Sequence, residues 1–134
     1  MSHIKITETH WEQMYAHVDK TAPIEACGFV AGSKNLSRQV YPITNSLHSA
    51  TKFQMAEAEL VSTIHRIQEK EWDLLAIYHS HPQGPAQPSP TDIQEATFLN
   101  SVQLIWGQHE ETWQMRAFKF SLDCQVEEIT IVLA

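Results

Sequence analysis

The sequence predicts an α/β or α+β fold, a β-sheet layered with helices. Three observations predict it: helical and strand-like stretches alternate along the first hundred positions, strand-like stretches follow one another after that, and 43% of the 134 residues are apolar. A chain of this length buries roughly two-thirds or more of its unfolded surface, so one domain over 1–134 is expected. No internal repeat, linker or low-complexity tract divides it.

The elements follow in order. Thr7 or Thr9 caps a first helix in which Trp11, Met14, Tyr15 and Val18 recur at helical spacing, and Pro23 ends that region. Ala26 to Ala31 is small, apolar and continuous, as in a buried strand, and Gly32-Ser33-Lys34-Asn35 supplies a turn. A second strand runs near Gln39 to Ile43, and Thr44 to Thr51 reads as polar loop. From Ala56 to Lys70, Leu60, Val61, Ile64 and Ile67 mark an amphipathic helix. Leu74 to Tyr78 is a short apolar run, expected as a central strand. Pro82 to Pro88, with three prolines and a glycine, is neither helix nor sheet. Ser89 opens a helix to about Asn100, and strands at Val102–Trp106, Gln114–Phe120 and Val126–Val132 complete the chain. Trp106 and Trp113 flank a turn-like stretch and are expected in core or hairpin packing.

Charge and cysteine content exclude several classes. Nine basic against 16 acidic residues leave a net charge of −7, and the Lys and Arg are scattered. A nucleic-acid partner, which needs a basic face, is not expected. No stretch approaches the length of a membrane span, and the N-terminal segment has no apolar signal core. Two distant cysteines, Cys27 and Cys124, do not make a disulfide scaffold. A cytoplasmic protein with reduced thiols is expected, with Cys27 a buried structural thiol.

The chemistry concentrates between Tyr78 and Asp92. His79 and His81 stand two apart at the end of a predicted strand, where side chains at i and i+2 share a face. Two imidazoles on one face can share a divalent ion, and the turn-rich loop is long enough to bring Asp92 back over the strand end. Three protein ligands leave a tetrahedral ion one position for water, the mark of a catalytic rather than a structural site. The same residues have a plainer reading. Ser89-Pro90-Thr91-Asp92 is also a helix start, with Ser89 as N-cap and Asp92 near the positive helix end. The two readings are compatible. His10 and His17 are expected on a solvent-facing helix surface, and His48, His65 and His109 away from any metal.

His79-x-His81, seven intervening residues, then Ser89-x-x-Asp92 resembles the JAMM (MPN+) metalloprotease motif, and His79-Ser80-His81-Pro82 is its usual form. Pro23 to Gly32 resembles the family's Glu-containing segment, and weaker likeness runs through Pro42 to Ser46 and Arg116 to Phe118. The resemblance implies a single MPN-like domain with a mixed central sheet, cytidine-deaminase-like in layout. It also implies Zn2+ on His79, His81 and Asp92, and roles that spacing does not supply: Glu25 as general base and Ser89 as oxyanion stabiliser. Implied activity is peptide or isopeptide hydrolysis at the tail of a ubiquitin-like or sulfur-carrier protein. Two alternatives compete. One is a silent MPN-type scaffold, although inactive relatives usually lack a ligand. The other is the RadC-like branch, whose loop begins His-Asn-His-Pro-Ser-Gly where this chain has Ser80 and Gln83. The zinc deaminases need a His-x-Glu and a Pro-Cys-x-x-Cys, which the sequence lacks.

Overall fold

Two dipeptides with left-handed backbone set two of the sheet's hairpins in the computed structural model, which describes residues 2–134. Lys34-Asn35 (φ 52° and 63°) joins β2 (Cys27–Ser33) to β3 (Leu36–Ile43), and Glu110-Glu111 (φ 51° and 65°) joins β5 (Val102–His109) to β6 (Thr112–Phe120). Positive φ at both central residues is the geometry whose twist matches paired strands. The first turn is therefore shorter than Gly32–Asn35. Gly32 and Ser33 are paired with Ser37 and Leu36, at a bulge where a Cβ on Gly32 would sit 2.0 Å from the Leu36 carbonyl oxygen. Glycine serves close backbone approach here, not the turn.

The remaining elements are β1 (His3–Ile6), α1 (Glu8–Thr21), α2 (Glu57–Glu69), β4 (Asp73–His81), α3 (Pro90–Gln94) and β7 (Val126–Leu133). The sheet is mixed, as expected. Its order is β1-β3-β2-β4-β5-β6-β7, closed into a ring by parallel pairing of β1 with β7 and with β3. β4 and β5 are also parallel, and the other neighbours are antiparallel. Strand β1 was not expected. It is four residues long with two apolar positions, Ile4 and Ile6, both fully buried. That run is too short to stand out in sequence, and it holds only because β7 and β3 supply partners.

Thr7, not Thr9, caps α1, its Oγ1 accepting from the His10 N–H. Met14 and Val18 are buried, and Trp11 and Tyr15 pack on the fully buried Trp106. His10 and His17 are not free surface groups. Nδ1 of His10 lies 2.7 Å from Ser37 Oγ, and Nδ1 of His17 lies 2.7 Å from the Tyr78 hydroxyl. In α2 the apolar stripe is narrower than expected. Ile67 and Thr63 are buried and Leu60 and Ile64 half-buried, whereas Val61 is 47% exposed, a third of a turn from Leu60. α3 ends at Gln94, well short of Asn100. Beyond it Phe98 takes φ 55° and Ala96 and Leu99 turn onto Ile105, Phe118 and Phe120, so apolar burial outweighs helix continuation.

Alternation along β4 places the site. Ala76 and Tyr78 join the core under α1, while Ile77 packs with Cys27, Phe29 and Ile67 on the α2 side. His79 and His81, in step with Ile77, face the α2 side as well.

Candidate metal centre

Strand β4 runs further than the apolar run that signals it, so both histidines are strand residues with fixed directions. Nε2 of His79 lies 3.1 Å from Nε2 of His81 and 3.2 Å from Oδ1 of Asp92, and Nε2 of His81 lies 3.1 Å from Oδ2 of Asp92. Donor atoms on a tetrahedral zinc at 2.0–2.1 Å stand about 3.3 Å apart, so the two imidazole nitrogens and the Asp92 carboxylate, which turns a different oxygen to each, are spaced to fit one ion of that size. They form the His-His-Asp group expected from the spacing.

Each donor has its own support. The Pro82–Pro88 loop folds back so that His81 Nδ1 donates to the Pro85 carbonyl at 2.9 Å, which leaves Nε2 for a ligand. The His79 ring is 1% exposed and stacks on Phe53, with centroids 4.6 Å apart and planes at 24°. Its Nδ1 finds no hydrogen-bond partner among the described residues, so on that side of the ring only stacking and strand register orient it. Asp92 sits in a capping box. Its N–H donates to Ser89 Oγ at 3.0 Å, and its Oδ2 accepts from the Ser89 N–H at 2.9 Å. The helix-start reading of Ser89 and Asp92 therefore holds together with the metal geometry. Ser89 Oγ uses an acceptor site in the cap, and its own hydrogen is not needed there.

Charge in the cluster suits a cation. Burial pushes the Asp92 carboxyl up, but hydrogen bonds from His79 and His81, with the Ser89 N–H, outweigh it and hold the carboxyl well below the usual range. Burial pulls His79 down. For His81 burial also pulls down, yet the bonds to Asp92 and Pro85 and the charges of Asp92 and Glu25 raise it.

Glu25 lies just before β2. Cys27 is level with His79, and Ser80 N–H donates to the Ala26 carbonyl at 3.0 Å, so the pairing brings Glu25 level with His81. Residues opposite each other across such a pair share a face, which puts Glu25 on the metal side. It is 4% exposed, and burial, opposed by a pull from His81 and helped by a smaller push from Asp92, lifts its carboxyl from 4.5 to about 7. Cys27 is fully buried, its thiol bonded to the Ile43 carbonyl and pushed up to about 12 by burial, as a structural thiol should be.

Beside the donors lies a cavity of about 640 Å³ that reaches His79 and Asp92, walled by Phe53, Met55, Leu60 and Phe98. Phe53 does not stand out in the sequence, and Asn45 does so only within the weaker likeness from Pro42 to Ser46. One aromatic in a polar stretch has no periodicity to mark it. Among the described residues no helix is long and apolar enough to cross a membrane.

Known proteins resemble this chain in sequence and in fold. Residues 7–121 match the family model described as prokaryotic homologs of the JAB domain. A probable TtuB-protein conjugate cleaving protease of Thermus thermophilus is 41% identical over 86 residues, 63% of this chain and only 57% of that relative's length. A desampylase of Pyrococcus furiosus is 26% identical over 96% of this chain and 89% of its own length. A solution structure of a protein from Desulfitobacterium hafniense superposes with a TM-score of 0.86 at 29% identity, covering 98% of this chain and 92% of that one.

Proposed function

Since the chain belongs to the family of prokaryotic JAB-domain homologues, we propose that it is a zinc-dependent peptidase or isopeptidase acting on the C-terminal tail of a ubiquitin-like or sulfur-carrier protein. Residues 1–134 work as one cytoplasmic catalytic domain. The observation that carries this reading is the trio of donor side chains, His79, His81 and Asp92, with their nitrogens and carboxylate oxygens 3.1–3.2 Å apart on the face shared with the buried Glu25. The conjugate-cleaving relatives point the same way.

His79, His81 and Asp92 would hold the zinc, which would supply Lewis acidity toward water and the scissile carbonyl. Glu25 takes the proton from the attacking water and passes it to the departing amine. In the metal-free protein burial raises the Glu25 carboxyl, the direction that favours taking up a proton. Ser89 turns its hydroxyl hydrogen toward the developing oxyanion while its lone pair stays in the cap, so no acyl-enzyme forms on it. An extended tail lies along the cavity walled by Phe53 and Met55, with His79 and Asp92 at its end. A scaffold without chemistry has no use for a complete donor set, and Ser80 and Gln83 set the loop apart from the RadC-like pattern.

The test is intact-mass analysis of zinc-loaded protein incubated with carrier proteins ending in Gly-Gly, fused to a reporter through a peptide bond or a lysine isopeptide bond. Cleavage directly after Gly-Gly is expected. Glu25→Gln should cut turnover by about 10²–10⁴ with zinc retained, and Asp92→Ala should lose zinc and activity together. Intact fusions throughout the panel would favour the scaffold reading.

A further inference from the structure

Glu25 precedes β2, so the sheet ladder does not hold its backbone. Something else must. Its N–H donates to the Ser49 carbonyl at 2.9 Å, and its carbonyl accepts from Nδ2 of Asn45 at 3.1 Å. Asn45 is 5% exposed and its carboxamide is fully engaged. Nδ2 also donates to the Lys52 carbonyl at 2.9 Å and, at 3.4 Å, to that of Ser49, while Oδ1 accepts from the Leu47 and Gln54 N–H groups, both at 3.1 Å. Together with the backbone bond from Ser46 N–H to the Gln54 carbonyl at 2.8 Å, this side chain closes the loop 46–54 on itself and ties that loop to Glu25.

The loop has a second attachment to the site. Leu47, Lys52, Phe53 and Gln54 line the cavity, and Phe53 stacks on the ring of His79. Asn45 thus stands at the junction of three things: the backbone of Glu25, the cavity wall, and the ring that orients His79.

We propose that Asn45 is a positioning residue, which joins Glu25 and the loop 46–54 into one unit so that the base and the substrate wall are set together. Its catalytic consequence rests on the hydrolase reading above; the structural coupling does not. Buried carbonyls of Glu25 and Lys52 need a donor, and only an amide side chain at this place supplies two donors and an acceptor at once.

Asn45→Asp separates the parts. The carboxylate keeps the acceptor that Leu47 and Gln54 use but has no donor for the Glu25 and Lys52 carbonyls. Amide exchange of the metal-free protein, read residue by residue, should show Glu25 and Gln54 losing protection together by tenfold or more, with Ile105 in β5 unchanged. With the Gly-Gly carrier fusion as probe, kcat should fall about tenfold or more while zinc affinity stays within threefold. Unchanged exchange at Glu25, or loss at Glu25 with Gln54 still protected, would overturn the coupling. Should N45D fail to fold, exchange in the unmodified protein under mild denaturant decides. Glu25, Leu47 and Gln54 must then open with rates matched within about twofold, as one cooperative unit does, and separate openings would refute it. A wild-type protein that cleaves no fusion would sink the hydrolase reading and leave the exchange result to judge Asn45.

Discussion

At the scale of single residues, Glu25 is held where its charge is costly. Burial raises its carboxyl from 4.5 to about 7, so the folded protein binds that proton more tightly than the unfolded chain does. Stability from this group is therefore highest at low pH and declines as pH rises from about 4.5 through 7. Glutamine has the same shape and no charge. Metal-free Glu25→Gln should match the wild type near pH 4 and exceed it by on the order of 3 kcal/mol above pH 7. Denaturant melts at the two pH values read the difference, and equal stability at pH 8 would mean that Glu25 reaches solvent. Asp92 shows the opposite case: two imidazoles and a backbone N–H keep its carboxylate ionised despite burial. A carboxyl poised near neutrality stands beside one that stays ionised.

At the scale of elements, the loop after β4 depends on one small residue across the sheet. Gly107 on β5 is level with His81, and a Cβ there would stand 2.2 Å from Ala86 N and 2.3 Å from the Pro85 carbonyl carbon. Those are backbone atoms, which cannot yield as a flexible side chain would. The Gln108 N–H also holds the loop through the Gly84 carbonyl at 2.8 Å. Gly107→Ala should push the loop off β5 and break the bond from His81 Nδ1 to Pro85. Loss of such a partner typically weakens metal binding 10–100-fold. Competition with a chromophoric chelator measures it, with circular dichroism as the check on folding; wild-type zinc affinity would show that the loop does not orient His81.

At the scale of the whole molecule, zinc held as proposed would link strand β4 to the start of α3 across a loop with no regular structure. A ligand that binds only the folded state adds stability by mass action, about 4 kcal/mol at a thousand times its Kd. For a chain of this size, Tm should rise by about 10 °C or more with zinc. A chelator should reverse the rise, and Asp92→Ala should flatten it. No response in the wild type would argue against a high-affinity site. Ring closure sets what surrounds this clamp. Helices cover both sides of the sheet, α1 over the core around Trp106 and Tyr78, and α2 over Cys27, Phe29 and Ile77.

The sequence by itself determined the periodic elements and one face of the site. Residue spacing marked α1, α2, β2, β4 and the last three strands, and the i, i+2 placement of His79 and His81 on a strand end sufficed to put both imidazoles on one side. It also carried the family, whose motif named Glu25. Tertiary structure alone decided that β1 joins β7, that α3 stops at Gln94 so Ala96 and Leu99 can bury, and that Phe53 and Asn45 meet His79 and Glu25. The reason is that periodicity records only which side of a segment is apolar. Pairing between distant strands, and the path of a loop over them, follow from burial and hydrogen-bond satisfaction summed over the assembled fold, which no local window contains.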